Sequence, residues 1–364
     1  MAKGAQSDSG TTLRMKISEL KEAIRICMEA KTSVFVHGSP GIGKSDAVKQ
    51  LGIESNRPVI DLRMSLLNPV DLRGVPYVDA ASNITRWMSP AFLPREGTPN
   101  ENAILFLDEM NAAPPAVQAA AYQLVLDRKV GEYRLPDGVD VIAAGNLGTD
   151  RAIVYEMSSA LRNRFVHFEV VPDLDEWKDW ALANGVRNEV VSYLNYKSDR
   201  LFWFDPKVHI RQFPTPRSWH FVSKILDKTK SLRGITPLIA AALGDATATE
   251  FAGFLKVASS LPNAEDVIIK GEMGIKAPTE TSSLYAFAGA LVGVASRAAD
   301  DDKKSLKYAQ NLSEYCSEKL SAEFAVLACK DFARTPIFEK IYTKLILTKS
   351  WKQFSERYGE LIIK

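Results

Sequence analysis

Short segments rich in apolar residues recur in the first half of the chain, separated by stretches where apolar residues recur at helical spacing. The segments lie at residues 33–37, 58–63, 103–107, 139–144 and 165–170, and each has strand character. The segment at 103–107 is apolar throughout, which is typical of a strand that is buried on both faces of a sheet. Since helical stretches such as Ile17–Ala30 alternate with these strands, the pattern predicts an α/β fold with a mostly parallel sheet.

Between Asn68 and Pro94 the pattern changes, because Pro and Gly become more frequent. Two runs with strand character, Gly74–Val78 and Ile84–Met88, flank a polar turn at Ser82-Asn83. This arrangement predicts a β-hairpin inserted on the α/β core.

After Pro172-Asp173 the pattern is helical almost throughout, in segments near 175–197, 216–229, 234–259, 280–299, 303–330 and 338–361. We therefore predict an all-helical lid followed by a helical C-terminal extension. The expected domains are a disordered N-terminus at 1–12, an α/β domain at 13–172 with the insertion at 68–94, a lid at 173–295 and an extension at 296–364.

A glycine-rich segment follows the first predicted strand and precedes a helix that we expect to start near Asp46. Its sequence fits G-x-x-x-x-G-K-[ST], the phosphate-binding loop. Because strand and helix flank it in the required order, a chance glycine-rich turn is disfavoured. The loop backbone and Lys44 would bind phosphates, and the Ser45 hydroxyl would ligate Mg²⁺. The phosphate-binding residues are Gly38, Ser39, Pro40, Gly41, Ile42, Gly43, Lys44 and Ser45.

Two acidic residues, Asp108 and Glu109, directly follow the apolar run at 103–107. Asp108 would complete the Mg²⁺ site with Ser45, and Glu109 would polarise the attacking water. A solvated Asp-Glu pair on the surface is the alternative. The phosphate-binding motif upstream favours the catalytic interpretation.

Four further polar residues are candidates for the same chemistry. Asn146 ends a predicted strand and could orient the water, or could simply turn the chain. Arg162 and Arg164 precede the next strand and could stabilise charge on a phosphate held by a neighbouring subunit, or could form a solvated helix end. Arg217 follows Pro216 at a helix start in the second domain, where it could bridge lid and phosphate or pair with a nearby acid.

Taken in order, these motifs resemble the AAA+ ATPases, in particular the MoxR-like branch, over roughly residues 12–230. The segment Asn68–Gly74 resembles the start of that branch's insertion within its second helix. The resemblance implies a ring, commonly a hexamer, that hydrolyses ATP with Mg²⁺ at subunit interfaces. It rests on Gly38–Ser45, Ile104–Glu109, Asn146, Leu161–Phe165 and Pro216-Arg217.

The resemblance also implies a role for each matching residue. Ala-Leu-Arg-Asn-Arg-Phe departs from the branch's usual Asp-Arg-Phe, which leaves open which arginine enters the neighbouring site. The implied roles are phosphate binding by Lys44 and Ser45, metal binding by Asp108, general base for Glu109, sensor one for Asn146, arginine finger for Arg164 or Arg162, and sensor two for Arg217.

Members of the branch often remodel a partner protein together with a von Willebrand factor A-domain protein. No D-x-S-x-S motif occurs in this chain, so such a domain would be a separate polypeptide. We expect a loop in Asn68–Pro94, around Arg73 to Tyr77, either to line the central pore or to face the client, so that substitution of Tyr77 and Trp87 impairs client remodelling. A nucleic-acid-dependent motor or loader is the alternative, weakly disfavoured by a formal charge of only +2.

Two other classes of function fit less well. A subunit that only binds nucleotide would not need Glu109, and a GTPase would carry an N-K-x-D tetrapeptide that this sequence lacks. Three scattered cysteines and four histidines form no metal-binding motif. Without a signal-peptide core or an apolar run near the roughly 18 residues of a membrane span, we expect a cytoplasmic protein.

Overall fold

The structure is a computed structural model that describes residues 14–148, 154–205, 211–229, 231, 234–297 and 301–362. The N-terminus predicted to be disordered, 1–12, lies outside the described residues. The chain divides into two compact units, residues 1–172 and 173–364. Within the described ranges, no helix has the length and apolar character needed to cross a membrane.

Among the described residues of the first unit, six strands form one sheet in which every neighbouring pair is parallel. They are β1 (Arg14–Met15), β2 (Val34–His37), β3 (Val59–Arg63), β6 (Ile104–Asp108), β9 (Asp140–Gly145) and β10 (Val166–Val170). The order across the sheet is β1-β10-β2-β9-β6-β3. The predicted parallel α/β fold is confirmed.

The apolar segments form the strands of this sheet, and its central strands are buried on both faces. All five residues of β6 and all six of β9 are buried. Helices of the first unit are α1 (Ile17–Glu29), α2 (Lys44–Glu54), α3 (Pro69–Arg73), α4 (Pro115–Leu126) and α5 (Ser159–Arg162). Since β2, β9 and β6 are adjacent and parallel, their carboxyl ends meet at one edge, where ligands bind in open α/β sheets.

The inserted hairpin is present as predicted. Strands β4 (Val75–Asp79) and β5 (Ile84–Met88) pair antiparallel, and Asn83 takes a left-handed conformation in the turn, with a φ of 53°. A second, shorter ribbon joins β7 (Lys129–Val130) to β8 (Tyr133–Arg134). Nine of the ten strand residues in the longer hairpin are exposed, so it presents apolar side chains to the surroundings.

The second unit is helical. Its helices are α6 (Leu174–Ala183), α7 (Asn188–Tyr196), α8 (Pro216–Lys228), α9 (Thr236–Leu243), α10 (Asp245–Ser259), α11 (Thr281–Ala295), α12 (Asp302–Lys319), α13 (Ala322–Ala333), α14 (Pro336–Leu345) and α15 (Lys349–Ile362). The helical segment predicted near 175–197 consists of two helices, α6 and α7, because the chain turns at Gly185, whose φ of 69° suits glycine.

Two apolar cores lie in the second unit. One is built around Trp219, Tyr193 and Phe251 from α8, α7 and α10. The other joins Phe287 and Leu291 of α11 to residues of α12, α13, α14 and α15. The boundary that we predicted between residues 295 and 296 therefore falls inside this second core.

Candidate active site

The phosphate loop connects β2 to α2 in the predicted order. Gly43 is the residue before the helix, and its φ of 107° is one that L side chains rarely adopt. The helix consequently begins at Lys44, two residues before the predicted start. The backbone N–H groups of its first turn carry partial positive charge, as a bound phosphate requires.

Lys44 is buried, with 8% of its surface exposed. Its Nζ donates to the carbonyl oxygens of Gly38 (2.6 Å) and Ser39 (3.1 Å) and to Oδ1 of Asn146 (3.1 Å). The structure thereby brings together two residues that lie 102 positions apart. They meet because β2 and β9 are neighbours in the sheet.

Ser45 and Asp108 also meet. The Ser45 hydroxyl donates to Oδ2 of Asp108 at 2.7 Å, and Oδ1 of Asp108 accepts the backbone N–H of Glu109 at 2.9 Å. Hydroxyl and carboxylate oxygens are hard ligands of the kind that Mg²⁺ prefers, so the pair fits this ion. The described residues contain no group of three His, Cys, Asp or Glu side chains suited to a metal. Mg²⁺ is usually bound through one or two protein oxygens together with substrate phosphates and water.

Glu109 follows β6 in a left-handed conformation, with φ 54° and ψ 34°. Such a conformation is uncommon for a residue other than glycine, and residues held in it cluster at functional sites. The Ser65 hydroxyl donates to the Glu109 carboxylate. Ser65 lies in the 3-10 turn that follows β3, and the sequence analysis missed it because a serine after an edge strand carries no distinctive pattern.

Asn111 was also missed. It is 5% exposed and lies two residues after Glu109, in the 3-10 turn Met110–Ala112. Its Oδ1 accepts the backbone N–H of Asn146 (3.1 Å), and its Nδ2 donates to the carbonyl oxygen of Asn146 (2.8 Å). A single asparagine in the turn after a strand carries no sequence signal that could have identified it.

Both candidate arginines before β10 are exposed. Arg162 is the last residue of α5, and Arg164 lies two residues before Val166, which is in register with Val34 at the start of β2. The phosphate loop begins beyond the opposite end of β2. The described geometry therefore places Arg164 about one strand length from the loop of its own chain.

Arg217 lies in the second unit and is exposed at the second position of α8. The helix is capped by Thr215, whose side chain accepts the backbone N–H of Ser218 at 3.0 Å. The role of Arg217 as sensor two stays a prediction.

Two histidines connect the end of β2 to α5. His37 Nε2 lies 2.9 Å from His167 Nδ1, and His167 Nε2 lies 2.7 Å from the carbonyl oxygen of Arg162. Burial, followed by the charges of His167 and Lys44, lowers the pKa of His37 to about 4. His37 is therefore neutral near pH 7. In the sequence these histidines form no metal-binding motif, and no pattern there indicates that they pair.

Comparison with known families adds to this geometry. Residues 33–165 match the family model of the AAA domain (dynein-related subfamily). This segment runs from the residue before β2 to the residue before β10, so it contains the site residues of the first unit described above except His167. No curated protein matches the chain by sequence.

Solved structures give weaker likenesses. A RuvB variant from Thermotoga maritima is 16% identical, covers 76% of this chain and 83% of its own, and has a TM-score of 0.34. NtrX from Brucella abortus in complex with ADP is 15% identical, covers 94% of this chain and 68% of its own, and has a TM-score of 0.39. Likenesses of this strength carry no argument about activity.

The family match ends at residue 165 and covers less than half of the chain. The fold, the sheet order and the contacts of Lys44 and Ser45 were established above without it. Residues 33–165 of this chain are accordingly similar to the AAA domain (dynein-related subfamily) and contain a P-loop.

Proposed function

We propose that the first unit binds Mg·ATP and hydrolyses it at the interface between subunits of a homo-oligomeric ring, and that hydrolysis drives remodelling or activation of a partner protein. The observation that carries the proposal is the convergence of Lys44, Ser45, Asp108 and Asn146 at the carboxyl ends of three adjacent strands. The match to the AAA domain supports a nucleotide as the ligand.

The hydrogen-bond acceptors of Lys44 in this structure leave it suited to bind phosphate. It donates to three neutral oxygens, and a charged phosphate oxygen is a stronger acceptor than any of them. Exchange of one carbonyl for a phosphate oxygen would therefore be favourable. Ser45 and Asp108 would hold Mg²⁺, which when bound offsets charge on the phosphates.

Glu109 is the proposed general base. It lies one residue beyond β6, next to Asp108, and its carboxylate accepts a hydrogen bond from the Ser65 hydroxyl. A carboxylate in hydrogen-bond reach of the attacking water accepts its proton. The Asn146 amide, already in contact with Lys44, would orient that water.

The arginine that completes the site is proposed to act on the neighbouring subunit. β2 has four residues, which span about 13 Å at roughly 3.3 Å per residue. Arg164 lies near the start of that strand and the phosphate loop lies beyond its end. Because this distance exceeds the reach of an arginine side chain toward its own phosphates, a trans role explains the placement of Arg164 better than a cis role.

Resemblance to the MoxR-like branch supports the rest of the proposal: a hexameric ring, a protein client and a separate von Willebrand factor A-domain partner. The exposed apolar hairpin with Tyr77 and Trp87 is the surface that we assign to the client. Arg217 is proposed to link the second unit to the nucleotide state.

A complementation experiment tests the trans site. The Glu109→Gln chain and the Arg164→Ala chain are each assayed alone and then mixed, with ATPase activity measured per chain over a wide range of protein concentration. We expect each variant alone to be inactive and the mixture to recover activity. Recovery follows because a mixed interface combines an intact Glu109 with an intact Arg164.

Arg162→Ala serves as the matched variant, since both arginines are exposed on the same segment. If Arg162 is the finger, its variant and not Arg164→Ala will complement Glu109→Gln. A wild-type rate that is independent of concentration in a monomeric sample, with no recovery in either mixture, would contradict the ring.

A further inference from the structure

Asn111 has no role in the proposed chemistry so far, yet its side chain is one of the most constrained polar groups in the first unit. It is 5% exposed and lies in the turn that directly follows Asp108 and Glu109. Burying an amide is costly unless each polar atom finds a partner. The partners that Asn111 finds are all in the segment that carries Asn146 and the residues after it.

The contact between Asn111 and Asn146 continues the sheet. β6 and β9 pair through their backbones as far as Leu107 and Ala143, where the ladder ends. Beyond this point the Asn111 side chain accepts the N–H of Asn146 and donates to its carbonyl oxygen. A side-chain amide can do both in one plane, as a neighbouring strand would. The backbone of Asn146 is thereby held although its own strand has ended.

Gly145 shows how closely the two segments approach. A Cβ at this position would lie 2.3 Å from Oδ1 and 2.6 Å from Cγ of Asn111. It would also lie 2.8 Å from Cζ of Phe35, so no side chain fits without displacing the amide and the ring. The glycine before Asn146 is therefore required by both neighbours.

Asn111 also contacts the chain that leads to α5. Its carbonyl oxygen accepts the backbone N–H of Tyr155 at 2.7 Å. One residue consequently connects three parts of the site: the segment of Glu109, the segment of Asn146 and the approach to Arg162 and Arg164.

We propose that Asn111 is a positioning residue for ATP hydrolysis, which fixes Asn146 relative to Glu109 and Lys44. The inference rests on the proposed function. Asn111 acts through Asn146 and not on the nucleotide, so its loss should slow the chemical step and leave nucleotide binding intact. A misplacement of about 1 Å at a reacting group costs on the order of 100-fold in rate.

Gln118 provides a matched control. It is equally buried, at 5% exposed, and its Nε2 donates to the carbonyl oxygen of Ala113 at 3.0 Å, away from Asn146. Asn111→Ala removes the side-chain partner of the N–H and the carbonyl of Asn146, and Gln118→Ala removes the side-chain partner of the Ala113 carbonyl. In the full chain with Mg·ATP, we expect kcat to fall about tenfold or more in Asn111→Ala only. The ADP dissociation constant should stay within about threefold of wild type in both variants.

A second pair of variants moves the Asn111 side chain without replacing it. Gly145→Ala places a methyl group against the amide and against the Phe35 ring, whereas Gly148→Ala meets nothing within 4 Å. The first should reproduce the loss of kcat and the second should not. If Asn111→Ala does not fold, the isosteric Asn111→Asp replaces it, because it keeps the acceptor and loses the donor.

Equal kcat values for Asn111→Ala and Gln118→Ala would overturn the inference, as would a loss confined to ADP affinity. A wild-type chain that binds ADP and hydrolyses no ATP at any protein concentration would instead overturn the proposed function, and this inference with it. The two failures are distinguished by the wild-type rate.

Discussion

Lys44 in the first unit and Lys178 in the second are both buried, at 8% and 5% exposed, but their partners differ. Lys44 donates to two backbone carbonyls and a side-chain amide. Lys178 forms ion pairs with Asp331 at 3.1 Å and Asp175 at 3.3 Å. The first lysine faces neutral oxygens at a sheet edge, and the second faces carboxylates between helices.

The carboxylate of Asp331 is itself fully engaged. Its oxygens accept from Lys178, from Nδ2 of Asn195 (2.7 Å) and from Arg334 (3.2 Å), so it connects α6, α7 and the end of α13. Buried charges that are paired in this way specify how helices pack and leave little capacity for a ligand. A buried charge thus indicates chemistry only when its partners can be exchanged, as at Lys44.

Removal of the Asp331 carboxylate is expected to have the largest effect on the stability of the protein. Asp331→Ala leaves the Lys178 charge buried without its main partner and should lower the free energy of unfolding by about 3–5 kcal/mol. Asp175→Ala removes the exposed partner (side chain 71% exposed) and should cost at most about 1 kcal/mol. Urea denaturation measures both. If both variants lost the same free energy of unfolding, burial of the Lys178–Asp331 ion pair would not determine how much it contributes to stability.

Replacement of Lys44 should act on binding more than on folding. Lys44→Met removes a charge-assisted bond to phosphate, worth about 1.5–3 kcal/mol, or about 10- to 150-fold in the nucleotide dissociation constant. Isothermal titration calorimetry with ADP measures the change. An unchanged dissociation constant would show that Lys44 has a structural role like that of Lys178.

Acid should weaken the first unit through His37. Unfolded, this histidine binds a proton below about pH 6.5, but folded it does so only below about pH 4. Stability is therefore complete above pH 6.5 and falls as pH decreases toward 4. At pH 5 the loss from this group is about 2 kcal/mol.

The variant His37→Gln should remove that part of the pH dependence, as measured by urea unfolding at pH 7.5 and 5. His220→Gln, in the second unit, is the control. If His37→Gln and wild type lose the same stability on acidification, His37 is not held neutral by its surroundings.

Substitutions in the inserted hairpin should have the smallest effect on the stability of the chain. Tyr77 and Trp87 are 42% and 38% exposed, so serine at both positions should change the free energy of unfolding by less than about 0.5 kcal/mol each. Basal ATPase activity should be retained and client remodelling lost. Equal loss of both activities would contradict a separate client surface.

The sequence predicted the sheet well because burial on both faces leaves a continuous apolar run, and β6 and β9 are buried throughout. It also predicted that Lys44, Ser45, Asp108 and Asn146 share a site, since parallel strands bring their carboxyl ends together. The helix break at Gly185 was missed because helical periodicity continues on both sides of the turn.

Ser65, Asn111 and the histidine pair could not be found from the sequence. Their roles depend on register: His37 meets His167 across 130 positions only because β10 pairs with β2. Asn111 meets Asn146 only because the β6–β9 ladder ends where it does. Single polar residues at such places look like any other loop residue.

The contacts of the histidine pair determine which ring nitrogen of each histidine carries the proton. The Arg162 carbonyl can only accept, so a neutral His167 carries its proton on Nε2 and turns the Nδ1 lone pair toward His37. His37 must then donate from Nε2. The two hydrogen bonds therefore have one polarity, from the strand that begins the phosphate loop toward the arginine helix. If α5 withdrew the carbonyl, His167 would be free to change tautomer and the polarity could reverse.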